Sequence, residues 1–194
     1  ENVYAILPDK GGNLLLGTLS ALVSFNPEKK SFTTIDKEKD GTPFTSQRIT
    51  ILFRDSHKRL WVGGEEGISV FQQEGIEIEK VPILPESSVT KTFTNCIYEA
   101  ANGIIWVGTR EGFYCFNEKE KKIKRYTTAN GLPNNVVYGI LEDTFGRLWV
   151  STNRGISCFN PETERFRNFT ESDGLQSNQF NTSSFCRTSS GQMY

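Results

Sequence analysis

The sequence has few of the side chains from which catalytic and metal sites are usually built. It contains one histidine, His57, and its four cysteines form no C-x-x-C pair. The sequence has no zinc-ligand spacing and no glycine-rich phosphate-binding motif, and no catalytic motif surrounds a candidate nucleophile. We therefore expect no catalytic residue, no metal and no cofactor, and we interpret His57 as a solvated turn residue.

An excess of one charge and long apolar runs are also missing. The 22 lysines and arginines nearly balance the 23 aspartates and glutamates, and no basic run stands out. This balance argues against a nucleic-acid partner. The apolar stretches span only a few residues, so we expect no membrane contact by this segment. A strand-like start and an end inside a repeat lead us to expect a piece of a larger protein.

The sequence does contain a repeat of about 45 residues. Trp61, Trp106 and Trp149 follow one another at intervals of 45 and 43 residues, and Leu15 and Tyr194 occupy the same slot in an earlier and a later copy. A second marker falls ten residues after the slot in four copies: Phe25, Phe71, Phe116 and Phe159. Two markers in phase indicate a repeat architecture.

Each repeat predicts four short strands separated by turn residues, and no helical period occurs. Four strands in about 45 residues is typical of one blade of a β-propeller. We therefore predict an all-β fold, a partial β-propeller of about four blades, each a four-stranded antiparallel sheet. The expected blades are residues 2–47, 48–93, 94–135 and 136–179, with the start of a further blade at 180–194.

The repeated tryptophan has two interpretations. A large flat side chain from the second strand can fill each interface between blades, and the small residues Gly63, Gly108 and Ser151 that follow suit tight packing. The alternative is a stacking platform for sugar rings. We favour packing.

Two of the cysteines, Cys115 and Cys158, come directly before marker phenylalanines. We interpret them as small buried apolar residues. A disulfide between them, joining adjacent blades, is the alternative.

Strand order places the turns between second and third strands on the same face as the loops between blades. Charged and amide side chains collect there and suit a polar ligand, although Asn and Gly at such positions also simply form turns. The candidate ligand-binding residues from the turns are Glu65, Glu66, Arg110, Glu111, Asn153 and Arg154. Those near the starts of inner strands are Arg48, Asn95, Asn135 and Asn178.

The repeat resembles that of the two-component regulator propeller family. From Ile140 to Asn160 the chain resembles the family pattern I-x-x-D-x-x-G-x-L-W-V-G-T-x-x-G-(I/L)-x-x-F-N, with Ser151 in place of the glycine after W-V. From Cys96 to Asn117 it resembles the pattern more loosely. Residues 130–135 and 173–178 are similar to the family's D-G-L-x-x-N linker. The resemblance covers essentially the whole chain, and the first copy departs from it most.

This resemblance implies the periplasmic sensor region of a hybrid two-component histidine kinase of the Bacteroidetes type. Such sensors respond to oligosaccharides from glycan breakdown and signal through a phosphorelay. The segment itself is then expected to be noncatalytic, with an oligosaccharide as its ligand. Two alternatives remain: a structural scaffold whose ligand binds elsewhere, and a propeller lyase.

An array of about four repeats leaves blade faces with apolar side chains at its ends. We therefore expect the segment to pair with a second copy of itself, as a homodimer.

Overall fold

The computed structural model of the chain describes residues 2–9, 11–44, 48–82, 91–182, 184–188 and 190–193. Tyr194, the expected slot residue of a fifth copy, lies outside these residues. The chain divides into two compact units, residues 1–94 and 95–194. None of the described helices is long or apolar enough to span a membrane.

The first unit holds two four-stranded sheets. The strands of its first sheet are β1 (Val3–Pro8), β2 (Leu14–Thr18), β3 (Leu22–Asn26) and β4 (Ser31–Ile35). Those of its second sheet are β5 (Ile49–Arg54), β6 (Leu60–Gly64), β7 (Gly67–Glu74) and β8 (Glu77–Lys80).

The second unit has the same organisation. Its first strand begins at Thr94, one residue before the boundary between the units. The strands of its first sheet are β9 (Thr94–Glu99), β10 (Ile105–Thr109), β11 (Phe113–Asn117) and β12 (Lys122–Tyr126). Those of its second sheet are β13 (Val137–Glu142), β14 (Leu148–Thr152), β15 (Gly155–Asn160) and β16 (Arg165–Phe169).

Within each of these sheets, consecutive strands are hydrogen-bonded neighbours, so each sheet runs in chain order. Each sheet falls inside one of the expected blades. This arrangement confirms the predicted all-β architecture of four-stranded blades. In the segment after β16, the described residues form a single isolated bridge, between Arg187 and Met193.

The two sheets of the first unit share one apolar core. Its buried members come from seven strands, and each such Leu, Ile or Phe stabilises the fold by about 1.5–3 kcal/mol. The sheets approach closely at Gly17, where an added Cβ would lie 2.6 Å from Ile49 Cγ2. The core residues are Leu15, Leu22, Ile35, Ile49, Leu60, Val62, Phe71 and Ile78.

The core of the second unit is centred on Trp106. The indole stacks on Phe113 at 4.8 Å and meets the ring of Phe159, from the next blade, edge-on at 5.6 Å. An added Cβ on Gly108 would lie 2.6 Å from Val137 Cγ1, so a small residue is required after this tryptophan. Trp106 is 2% exposed and Trp61 is fully buried, which agrees with the packing interpretation of both.

All four cysteines are free, so the alternative disulfide between Cys115 and Cys158 is not formed. Cys158 is buried and Cys115 partly buried, as expected of small apolar residues.

Candidate functional site

The turns between second and third strands lie beside the loops between blades, as strand order predicts. In the first unit, the Arg48 N–H donates to the Leu19 carbonyl in the β2–β3 turn at 2.7 Å. In the second unit, the N–H of Gly155, which begins β15 directly after the β14–β15 turn, donates to the Asn178 carbonyl. Each unit therefore gathers its candidate residues on one face, which we call the loop face.

On the loop face of the first unit, Glu65 and Glu66 are exposed at the tip of the β6–β7 turn. Next to Glu66 lies a cavity of about 220 Å³ with a mainly polar lining. Its other wall residues include Glu38, Thr42, Phe44, Ser69 and Lys80.

Arg48 is half-buried at the start of β5. Its guanidinium carbon lies 5.4 Å from the ring centroid of Tyr4 and 5.9 Å from that of Phe93. Both contacts are within the range of cation–π attraction. The fold therefore holds this cation beside two aromatic rings on the loop face.

Three of the predicted amides in the second unit are engaged in the fold itself. Asn95 is 2% exposed, and its Nδ2 donates to the Val137 carbonyl at 2.8 Å, which joins β9 to β13. Asn135 Oδ1 accepts the N–H of Thr128, and Asn178 Oδ1 accepts the N–H of Glu171, each at 2.9 Å. Asn135 and Asn178 therefore help to shape the loops between blades, whereas Asn95 links two strands.

The remaining candidates of the second unit are more accessible. Arg110, Glu111 and Arg154 are exposed in the turns that follow β10 and β14. The Glu111 carboxylate lies 3.8 Å from Arg125 Nη2, a weak exposed ion pair. Asn153 is partly buried, and its Oδ1 accepts the Tyr138 hydroxyl at 2.9 Å. The charged turn residues are therefore the ones that a ligand can reach.

The third tryptophan lies in a different environment from the other two. Trp149 is partly exposed, stacks on Phe169 at 5.5 Å and lines a largely apolar cavity of about 250 Å³. Phe180, Phe185 and Met193 also line this cavity. The repeat pattern did not predict this cavity, because Trp149 lies in the same motif as the two buried tryptophans.

No catalytic constellation emerges among the described residues. His57 is exposed in the turn between β5 and β6, and no group of three or more His, Cys, Asp or Glu side chains there is arranged to hold a metal. Burial raises the pKa of Cys96 to about 12 and that of Cys115 to about 11. Neither thiol therefore supplies a thiolate at neutral pH.

Comparison with known proteins gives a match to one repeat family and to one kinase. The family model for the two-component regulator propeller matches residues 87–111 and 131–154. A protein named Histidine kinase P4, from Formosa agariphila, is 30% identical over 153 residues, which is 75% of this chain and 11% of that protein. The chain thus spans about a tenth of the length of this relative.

Several solved structures share the fold, and two of them show the range of their roles. The extracellular domain of BT3049 from B. thetaiotaomicron, assigned to a hybrid two-component system, has a TM-score of 0.70 and 21% identity, over 100% of this chain and 32% of its own. Virginiamycin B lyase from Staphylococcus aureus has a TM-score of 0.58 and 15% identity, over 99% of this chain and 68% of its own. At these identities the likeness concerns the fold alone.

Proposed function

The chain carries two-component regulator propeller repeats, and on this premise we propose that it is the noncatalytic, extracytoplasmic sensor segment of a two-component signalling protein. The relative named as a histidine kinase supports this role. So does the likeness in fold to an extracellular domain assigned to a hybrid two-component system.

The more specific part of the proposal is a periplasmic location and an oligosaccharide ligand. The likeness in fold to an extracellular domain supports the location. The observation that supports the ligand is the set of accessible charged side chains on the loop face, namely Arg110, Glu111 and Arg154 in the second unit. Guanidinium donors and carboxylate acceptors on adjacent turns suit a ligand with many hydroxyl groups. The apolar cavity at Trp149 offers a less polar surface in the same unit.

We place the output of the segment in a kinase elsewhere in the intact protein, acting through a homodimer and a phosphorelay. A ligand that binds one arrangement of the two copies more tightly shifts the population toward it. No chemistry by the segment is needed for such a response.

Calorimetric titration of the intact parent protein with glycan fragments tests this function. We expect saturable binding of an oligosaccharide that weakens by about 1–3 kcal/mol in Arg110→Ala or Arg154→Ala, since each loses a charge-assisted hydrogen bond. Arg165→Ala, at an exposed position of β16, is the matched control and should leave affinity unchanged. Unchanged affinity in the first two variants would show that the ligand binds elsewhere and would favour the scaffold role.

A lyase is the second candidate, because virginiamycin B lyase shares the fold. His57 is the only histidine in the chain, so a histidine-dependent activity has one candidate residue. Turnover of a substrate by the chain that disappears in His57→Ala would replace the sensor proposal with this one.

A further inference from the structure

The second repeat departs from the other three at the last residue of its second strand. The other repeats carry threonine there, and each hydroxyl donates across the following turn to a carbonyl 2.9–3.0 Å away. The second repeat carries Gly64 and lacks this hydroxyl. The threonine–carbonyl pairs are Thr18–Ala21, Thr109–Gly112 and Thr152–Gly155.

Glycine is required at this position by the backbone of Arg48. A Cβ on Gly64 would lie 2.1 Å from the Arg48 carbonyl oxygen, far inside contact distance. Arg48 itself has a φ of 48°, a left-handed conformation that residues other than glycine rarely adopt. Strained conformations of this kind cluster at binding sites, where the surrounding structure holds them in place.

Part of the hydrogen-bonding capacity of this arginine is unused. Its Nε is buried without a hydrogen-bond partner, and within the described ranges no carboxylate forms an ion pair with it. The contacts with Tyr4 and Phe93 are made to the faces of the rings, so they position the charge without supplying a hydrogen-bond acceptor to Nε. Buried N–H groups in native proteins are nearly always paired, so an orphaned donor points to an acceptor that arrives with a ligand.

From these observations we infer that Arg48 is an oxyanion-binding residue, which takes the carboxylate or sulfate group of a ligand. Both groups present two oxygens to parallel N–H donors, which a planar guanidinium matches and a lysine ammonium does not. Tyr4 and Phe93 act as positioning residues for the guanidinium, and Gly64 admits its backbone. The inference about Arg48 rests on the proposed sensor function, because it states that the ligand of the sensor carries an anionic group.

The test titrates the ¹⁵N-labelled 194-residue chain with sodium sulfate and, separately, with sodium acetate. Sodium chloride keeps the ionic strength constant, since exposed charges respond to salt alone. The readout is the NMR signal of the Arg48 Nε–H group, identified by its loss in Arg48→Lys. We expect a saturable shift of this signal, and the anion that produces it identifies the group as sulfate, carboxylate or both.

Arg48→Gln removes the guanidinium and should weaken anion binding at least about tenfold, because a bidentate charge-assisted pair is lost. Arg165→Gln is the matched control and should bind the anion as the parent does. Tyr4→Leu keeps the charge but loses one ring, and an intermediate loss is expected. Backbone amide spectra of all variants verify that they are folded.

An Nε–H signal that responds to neither anion, or only as it does to chloride, would overturn the inference. Unchanged anion affinity in Arg48→Gln would overturn it as well. The sensor proposal can be contradicted independently of this inference. If the intact parent binds no oligosaccharide, anion binding at Arg48 still stands. Conversely, an oligosaccharide that binds the parent without shifting the Arg48 signal contradicts only the inference.

Discussion

An aspartate in the turn after the first strand fixes the second strand of a blade through three hydrogen bonds. Asp55 accepts the backbone N–H of Arg59, its Nε and the indole N–H of Trp61, at 2.7–2.8 Å. Asp143 makes the same three bonds with Arg147 and Trp149, at 2.7–3.0 Å. In the second and fourth repeats, an aspartate therefore orients the tryptophan of the second strand.

The two aspartates differ in burial, which sets what their removal costs. In the second repeat, Asp55, Arg59 and Trp61 are all buried, so we expect Asp55→Ala to destabilise the fold by about 3 kcal/mol. The Arg147 side chain is 41% exposed, so water replaces part of the loss, and Asp143→Ala should cost only about 1–2 kcal/mol. Urea unfolding of both variants measures the difference, and equal losses would contradict this account.

Asp143 also predicts a dependence of stability on pH. Burial raises its pKa, but the hydrogen bonds from Trp149, Arg147 and Phe145 together bring the pKa below its ordinary value of 3.8. A group whose pKa is lower in the folded than in the unfolded state stabilises the fold. Its full contribution is present at pH values above the unfolded-state pKa, and it is lost as the pH falls through the folded-state pKa. The stability difference between the parent and Asp143→Asn should thus be constant near neutral pH and shrink below about pH 4. A stability difference between the parent and Asp143→Asn that stays constant down to about pH 2 would contradict this prediction.

The cysteines differ sharply in reactivity. Burial raises the pKa values of Cys96, Cys115 and Cys158, which keeps these thiols protonated, whereas Cys186 is exposed. We expect a thiol-specific reagent at pH 8 to modify Cys186 first, and Cys186→Ser to abolish that fast phase. Mass spectrometry after brief alkylation identifies the site, and early modification of Cys96 would show that β9 opens easily.

At the scale of the element, the turn after each second strand is closed by a threonine, except in the second blade. Restoring the pattern there by Gly64→Thr should destabilise the protein by about 1–3 kcal/mol, because the new Cβ meets the Arg48 carbonyl. Substitutions toward the consensus of a repeat usually stabilise a protein, so we expect a change in stability of the opposite sign here. Thermal unfolding of the variant and the parent measures this change.

Gly64→Ala is the matched control for this prediction. It adds the Cβ without the hydroxyl, so a similar loss would assign the effect to the close backbone approach. A Gly64→Thr variant more stable than the parent would show that Arg48 can move away without cost.

At the scale of the whole molecule, the first strand carries exposed apolar side chains. Val3 is 46% exposed and Ile6 is 62% exposed, both on β1. Exposed apolar side chains that lie close together are typical of interaction sites. This strand is the physical basis on which we propose the homodimer.

Sedimentation velocity over a range of concentrations tests the pairing. We expect self-association of the chain that is weakened at least about tenfold by Ile6→Lys, since a buried charge opposes the contact. Phe145→Lys is the control, because Phe145 is 80% exposed at the tip of a turn rather than on a sheet face. A monomer at every concentration, with no binding of an apolar dye, would exclude the dimer.

The sequence by itself determined the blade architecture. Turn residues and apolar residues recur with a fixed spacing, and strand pairing between sequence neighbours is local, so the repeat of Trp61, Trp106 and Trp149 was enough to predict four sheets in chain order. The packing of Trp61 and Trp106 followed from the same pattern. Both are buried, as the packing interpretation requires.

Only the tertiary structure decided which loop residues are accessible and which are engaged in the fold. Asn95, Asn135 and Asn178 are of one residue type in similar positions, and their hydrogen bonds depend on which backbone group lies opposite. The environment of Arg48 is built from Tyr4 and Phe93, each more than 40 residues away in the chain. Such contacts depend on the packing of one sheet against another, which a spacing read along one strand does not encode.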